Sequence, residues 1–384
     1  MRILITGGGT AGHVNPALAI ADIVKQKRPG TVVEYVGSKG GIEEELAGRK
    51  GINIHTLKLS GLSRSLSPSN ILTLYRAYRA IGKCKSIIRE FKPDIVIGTG
   101  GYVCWPCIRA ASALGVPSML HESNAQPGFA VRTLMNKADT ILVNFEGTKR
   151  YLEGCSARVE RVGMPVSPAF LRTLSQTSQK FRRMPKDHIN ILSFGGSLGA
   201  HTVNEAMTEL IKKYAGDPAV NIEHSTGTRE YAEVMKKLSL CGCDRSLNIK
   251  VTEYIYDMAD KMKNADIVIC RSGASTIAEL AACAKAAILI PSPNVTADQQ
   301  RKNAALLSER KAAVVIEDCD AKVKLQDAVN ELVSAPGAAE KRLTLSDNIR
   351  EFYIRDCSDR IFSEIEKTIE RKERKGKKGT AALR

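Results

Sequence analysis

The chain has 384 residues, 43% hydrophobic and 26% charged, with a formal net charge of +16. That length suits two ordinary domains better than one core, no apolar run is long enough to span a membrane, and no basic and apolar leader precedes the first strand; a cytosolic protein is expected. The charge favours an anionic partner, either a phosphorylated substrate or an acidic membrane surface, whereas nucleic acid is not expected, since aromatics are only 5% and no RNA-binding or helix-turn-helix signature is present.

"RILIT" at the start reads as a buried parallel strand, and "NPALAIADIVKQ" as the helix after it. Between them "TGGGTAGHVNP" carries Gly7, Gly9 and Gly12 in the spacing G-x-G-x-x-G, the form of a dinucleotide fingerprint, and Glu34 in "TVVEYVGS" falls where such folds often keep a ribose-binding acid. His13, Asn15 and Pro16 stand where that fingerprint continues with small apolar residues. An imidazole beside the carboxyl end of the first strand is placed for proton transfer. Cofactor binding and catalysis both remain open at this point.

The first half continues through strand candidates "TVVEYVG", "NIHTLKL", "DIVIGTG", "PSMLHES", "TILVNF" and "ARVERVG" with amphipathic stretches between them, which argues for a parallel sheet covered on both faces. Residues 61–91 mix Leu62, Leu66, Ile71, Leu72, Leu74 and Tyr75 with Arg64, Arg76, Arg79, Lys83 and Lys85. A loop over 62–75 is expected to touch the bilayer, and 76–91 equally suits an ordinary amphipathic helix. "CWPC", Cys104 to Cys107, has the spacing of a thiol oxidoreductase, but no thioredoxin-like pattern flanks it and packing at a helix start is the expectation. The ten cysteines read as reduced thiols, and "CGC" at 241–243 lacks the further ligands of a zinc site.

The second half restarts with "INILSFGGSLGAHTVNEAMTEL" and runs on through "VNIEHSTG", "IKVTEYI", "ADIVICRSG", "AAILIPSP" and "AAVVIE". "FGGSLGAH" opens a helix whose unpaired N–H groups suit a diphosphate, with Ser197 among its small residues. "RSGASTIAEL" is a second strand-to-helix turn. There Glu279 can take both hydroxyls of a ribose, or simply be an acid favoured near a helix start. Gln299 and Gln300 in "DQQRKNA" suit sugar hydroxyls. Together these spell a nucleotide-sugar donor, and no nicotinamide is needed. The expected divisions are an N-terminal domain over 1–164, a linker over 165–188, a C-terminal domain over 189–345, a helix over 346–366 packing back toward the N-terminal domain, and a disordered basic tail over 367–384.

In order, "TGGGTAGHVNPALAIA", "GTGGYV", "HESNAQPG", "VGMPV", "GGSLGAHTVN", "CRSGASTIAEL" and "DQQRKNA" resemble the motifs of the bacterial undecaprenyl-diphospho-muramoylpentapeptide β-N-acetylglucosaminyltransferases. The resemblance implies an α/β chain of GT-B fold, two Rossmann-like parallel-sheet domains facing a central cleft. It implies inverting transfer of N-acetylglucosamine from UDP-N-acetylglucosamine to lipid I, giving lipid II, at the cytoplasmic face of the cell membrane. A transferase for another lipid acceptor such as diacylglycerol is the alternative; "HESNAQPG" with "TAGHVNP" argues against it. By matching position, Thr10, Ala11, Gly12 and Asn124 would contact the donor sugar, Ser167 and Ser197 would lie by the diphosphate, and Ile255 would meet uracil. Ala274, Ser275, Thr276 and Glu279 would line the nucleoside, with Gln299 and Gln300 toward the sugar. Gly8, Gly9, Asn15 and Tyr102 would face the acceptor. His13 is the first choice of base and Glu122 the rival. Met164 and Ser167 stand in "GMPVS" where part of the family has "GNPVR", so a phosphate-side arginine is missing, with Arg271 or helix dipoles as substitutes. No cofactor and no obligatory metal are expected; a peripheral contact with anionic membrane and a cell-wall synthesis complex are.

Overall fold

The computed structural model describes residues 1–61, 69–175, 188–196 and 198–381; the side chains of 69, 70, 72, 74 and 375–381 are outside the description. Two compact units divide it: Met1–Pro168 with Ile354–Arg384, and Ala169–Tyr353.

In the first unit strands and helices alternate as β1 (Arg2–Thr6), α1 (Ala11–Lys27), β2 (Val32–Ser38), α2 (Ile42–Arg49), β3 (Asn53–Leu57), α3 (Ser69–Phe91), β4 (Ile95–Gly98), α4 (Cys104–Leu114), β5 (Ser118–Glu122), α5 (Phe129–Leu134), β6 (Thr140–Val143) and β7 (Arg158–Arg161). All seven strands are parallel, in the order β3-β2-β1-β4-β5-β6-β7. Period-two alternation explains how one sheet feeds two cores: Ile3, Ile5, Ile95, Ile97 and Met119 face one cluster, and Leu4, Val96 and Leu120 the other.

The second unit follows α6 (Pro168–Ser175) with β8 (Ile189–Phe194), α7 (His201–Tyr214), β9 (Val220–Ser225), α8 (Tyr231–Leu240), β10 (Ile249–Thr252), α9 (Met258–Asn264), β11 (Ile267–Cys270), α10 (Ala274–Cys283), β12 (Ala286–Leu289), α11 (Gln299–Glu309), β13 (Val314–Val315), α12 (Ala321–Val333) and α13 (Ala338–Arg350). Its six strands are parallel, in the order β10-β9-β8-β11-β12-β13. Strand order reverses between β1 and β4 in the first sheet and between β8 and β11 in the second. In doubly wound sheets ligands bind at that reversal, outside the carboxyl ends of the strands. The turns after β1, β4, β8 and β11 are therefore where each unit's chemistry should be sought.

Three segments differ from the sequence expectations. Residues 69–75 are helical, as the first turns of α3, where a loop over 62–75 was expected; Leu62, Arg64 and Leu66 lie outside the described residues. Residues 168–175 of the expected linker form α6, which buries Phe170. The final helix, α14, runs Cys357–Ala381 instead of 346–366, and takes in 367–381 of the segment expected to be a disordered tail. Burial explains this: Ile361 and Ile365 join the cluster of Ile3 and Ile20, Thr368 meets Thr140 across 2.8 Å between hydroxyls, and Lys372 reaches Asp139 at 2.8 Å. Basic composition alone carries no record of a tertiary partner. Among the described residues no helix is long and apolar enough to cross a membrane.

Candidate active site

β1 delivers the chain into the turn Gly7–Thr10, and Thr10, in extended conformation, leads into α1. The turn is held from below, where the Tyr35 hydroxyl donates to the Gly7 carbonyl at 2.6 Å, and from the side, where Thr99 Oγ1 donates to the His13 carbonyl at 2.7 Å. The loop after β4 lies directly on it: Gly101 has φ +77°, and a Cβ there would overlap the Gly8 carbonyl. Gly101→Ala is accordingly expected to destabilise the first unit by about 2–4 kcal/mol in chemical denaturation, with the second unit's transition unmoved.

His13 sits on the first helical turn, half-buried, with Nδ1 3.2 Å from both the Gly8 carbonyl and Thr10 Oγ1. A carbonyl only accepts, so the neutral ring carries its proton on Nδ1 and leaves a lone pair on Nε2. Desolvation pulls its pKa below the ordinary histidine value, opposed by the Gly8 bond and the charge of Glu43. The ring is therefore a neutral proton acceptor at pH 7. Gly9, Thr10, Gly12 and Asn15 are exposed around it and Ala11 is half-buried, while Gly8 is buried against Glu43.

Glu122, the rival base, is buried and committed to its own loop. Oε1 accepts from the Asn124 backbone N–H at 2.9 Å and from Asn124 Nδ2 at 3.1 Å, and Oε2 accepts from Gly128 N–H at 2.8 Å. This carboxylate closes residues 123–128; burial raises its pKa and those donors oppose the rise. Tyr102 is turned inward, its ring over Gly9 and its hydroxyl donating to Ser38 Oγ at 3.3 Å. Glu34, the ribose acid of a dinucleotide site, instead accepts from His55 Nε2 at 2.6 Å. Cys104 and Cys107 are fully buried, with Cys107 Sγ 3.2 Å from Cys84 Sγ, and burial pushes the Cys104 thiol up to about 12, the reverse of a reactive thiolate.

In the second unit the turn after β8 holds Gly196 and Gly199 at positive φ, and a Cβ at Gly199 would overlap the Thr226 carbonyl. Ser197 lies outside the described residues. After β11, Gly273 in extended conformation opens α10. Ala274 is buried, Ser275 and Thr276 are half-buried, and Ser275 Oγ is a buried hydroxyl without a partner among the described residues. Glu279 follows on the same helix. Among the described residues no donor or cation meets its carboxylate, and desolvation raises its pKa to about 7. Ile255 is buried between exposed Tyr254 and Tyr256, whose rings meet edge to face at 4.9 Å. Gln300 holds the loop before α11, its Oε1 accepting from Ser292 N–H at 2.9 Å and its carbonyl from Ser272 Oγ at 2.8 Å; Gln299 is the first residue of α11.

Arg271 does not replace the missing phosphate-side arginine. Its guanidinium is bound to Asp318 and to the carbonyls of Ile290 and Pro291 at 3.0 and 3.3 Å. Ser167 is half-buried in the first unit, and Met164 is in the core. Two features escaped sequence reading. Ala297 and Asp298, just before α11, both have φ +55°, a strained pair of non-glycine residues beside Gln299 that no local motif announces. Glu43 lies beneath the first glycine turn; the run of acids at 43–45 looks like ordinary favouring of a helix start. Among the described residues no cluster of three metal-ligating side chains occurs.

Two doubly wound units in one chain, each with a glycine turn at its own switch point, form the GT-B architecture of the nucleotide-sugar glycosyltransferases. The chain belongs to glycosyltransferase family 28: the family's N-terminal domain matches residues 3–143 and its C-terminal domain residues 190–353. It is 35% identical over 97% of its length to 99% of the UDP-N-acetylglucosamine–N-acetylmuramyl-(pentapeptide) pyrophosphoryl-undecaprenol N-acetylglucosamine transferase of Acetivibrio thermocellus. To the transferase of the same name from Desulforudis audaxviator it is 41% identical, over 83% of this chain and 86% of that one. Among solved structures it resembles Acinetobacter baumannii MurG, with TM-score 0.76 and 27% identity over 95% of this chain and 99% of that one. A UDP-GlcNAc 2-epimerase from Neisseria meningitidis shares the fold, with TM-score 0.66 at 16% identity over 96% of this chain and 100% of that one.

Proposed function

We propose that this protein transfers N-acetylglucosamine from UDP-N-acetylglucosamine to the muramoyl 4-hydroxyl of undecaprenyl-diphospho-N-acetylmuramoyl-pentapeptide, lipid I, releasing UDP and forming lipid II for peptidoglycan. The observation that carries this is identity along nearly the whole chain to transferases named for that reaction. The 4-hydroxyl oxygen attacks the anomeric carbon, the bond from that carbon to the β-phosphate oxygen breaks, and configuration inverts. His13 takes the hydroxyl proton on Nε2, a role supported by its neutral, Nδ1-protonated ring. Glu122 holds the loop that carries Asn124.

The donor falls to the second unit, with Ala274 to Thr276 and Glu279 on the nucleoside, Ile255 on uracil, Ser197 by the diphosphate and Gln299 and Gln300 toward the sugar. Thr10, Ala11, Gly12, Asn124 and Ser167 are its partners in the first unit, where Gly8, Gly9, Asn15 and Tyr102 belong to the acceptor side. Gly8 and Tyr102 act there as supports of the turn, being turned to Glu43 and Ser38. Backbone N–H groups and the α7 dipole take over from the absent arginine. UDP release from UDP-N-acetylglucosamine with a short-chain lipid I analogue tests the proposal. Release without acceptor dependence, or none with donor bound, would count against it.

A lipid-linked acceptor requires contact with the membrane surface. Along α3, Ile71, Tyr75 and Tyr78 are 72, 57 and 70% exposed at helical spacing, next to exposed Arg76 and Arg79, while Ala80, Cys84, Ile87, Ile88 and Phe91 pack inward. An exposed apolar stripe beside cations suits a peripheral site on an anionic cytoplasmic leaflet. The double variant Tyr75→Ser, Tyr78→Ser is expected to weaken co-sedimentation with anionic vesicles by about tenfold.

A further inference from the structure

Beneath the Gly7–Thr10 turn lies a carboxylate that the steps above do not use. Glu43, on the first turn of α2, is fully buried. Its Oε1 accepts from Ser38 N–H at 2.7 Å and from Ser38 Oγ at 2.6 Å, whereas Oε2 is buried with no hydrogen-bond partner among the described residues. A Cβ at Gly8 would overlap Oε1, and one at Gly41 would lie 2.6 Å from Oε2, so the carboxylate sits against backbone that only glycine allows. Stability alone does not account for this. Leaving a buried carboxyl oxygen unpaired costs free energy, and a helix dipole is served equally by the neighbouring half-buried Glu44 and exposed Glu45.

The group above the carboxylate is the one that sets the imidazole. Gly8 rests on Glu43, and the Gly8 carbonyl meets His13 Nδ1 at 3.2 Å. Ser38, bound to Glu43, also receives the Tyr102 hydroxyl, and Tyr35 ties Gly7. We propose that Glu43 is a positioning residue for His13: with Ser38 it fixes Gly8, whose carbonyl orients the imidazole, and its charge stabilises the imidazolium formed as the acceptor is deprotonated. This rests on the reading of His13 as the base. The proton passes from the 4-hydroxyl to Nε2, and Nδ1–H stays on the Gly8 carbonyl. It does for His13 through a glycine turn what a directly bonded carboxylate does in a hydrolase triad.

The other titratable groups near the turn and the loops beside it do not supply that charge. Tyr35 on β2 and Cys104 on α4 have their pKa values pushed up by burial and are neutral. Tyr102, after β4, is turned to Ser38, and Glu122, at the end of β5, is held by its own loop. Glu43 opposes the desolvation that lowers the imidazole's pKa.

The test is the titration of His13 by NMR in histidine-labelled full chain, with the pH profile of kcat, for wild type, Glu43→Gln and Ser38→Ala. In Glu43→Gln the His13 pKa is expected to fall by about half a unit or more, and kcat by about tenfold with KM for UDP-N-acetylglucosamine unchanged. Ser38→Ala keeps the charge but loosens Gly8, so kcat should fall with little change in His13 titration. An unchanged His13 titration and kcat in folded Glu43→Gln would overturn the proposal. If that variant does not fold, an unchanged kcat in Ser38→Ala overturns it. A shifted His13 titration with no change in the kcat profile would leave the coupling standing and remove His13 as the base.

Discussion

Replacing His13 by alanine is expected to lower kcat about 10²–10⁴-fold while leaving KM for UDP-N-acetylglucosamine within about twofold. The size follows from removing a proton acceptor that works only as the new bond forms. The selectivity follows because the second unit carries the nucleoside contacts proposed for the donor. The variant should fold: His13 is half-buried, and the turn keeps its tie from Thr99 to the residue-13 carbonyl, a backbone group that alanine retains. Stability supplies an independent readout. Burial holds the ring's pKa below its ordinary 6.5, so the unfolded chain binds the proton more readily and wild type loses stability as pH falls through that value. His13→Ala should lose less between pH 7 and 5 in thermal melts. A kcat within a few-fold of wild type would pass the base to another group, and Glu122, saturated by its loop, is poorly suited to it.

Glu279→Gln is expected to weaken UDP-N-acetylglucosamine binding by about 10–100-fold at pH 8, because hydrogen bonds to a charged acceptor are the strong ones. Among the described residues no donor meets the carboxyl, and burial raises its pKa to about 7. In the role proposed for it, only the ionised form would accept both ribose hydroxyls. Wild-type affinity measured calorimetrically should therefore improve about tenfold from pH 6 to 8, since the competent fraction rises across that window. The glutamine variant should show no such slope. The folded pKa lies above the ordinary carboxylate value of 4.5, so the stability tied to the protonated form is present below 4.5 and is lost as pH rises through about 7. Glu279→Gln without ligand should thus melt above wild type at pH 8 and level with it at pH 5. The burial that makes the ionised group costly would also strengthen its proposed hydrogen bonds to the diol.

Much of this was legible in order along the chain. Continuous apolar runs such as "RILIT" and "DIVIGTG" are buried on both faces and became strands, and every strand candidate has its counterpart in one of the two sheets. The glycine turns fall where strand order reverses because a short βα connection needs backbone freedom there. His13 stood out because an imidazole replaces a small residue. What the sequence did not show is each side chain's partner: Glu34 is bound to His55, Glu122 to residues 124 and 128, Tyr102 to Ser38 and Arg271 to Asp318.

Local pattern by itself determined the two alternating α/β halves, the glycine turns and the residues able to do chemistry, because periodicity and turn preference act over a few residues. Which side chains are free to act was decided only by tertiary structure. Desolvation comes from elements far apart in the chain even where the hydrogen-bond partners are near in sequence: the same residue type closes a loop at Glu122, meets no donor among the described residues at Glu279 and is fully buried under the first glycine turn at Glu43. The last helix shows the same division, since its charge resembled a tail while Thr140 and Asp139, over two hundred residues earlier, hold it in place.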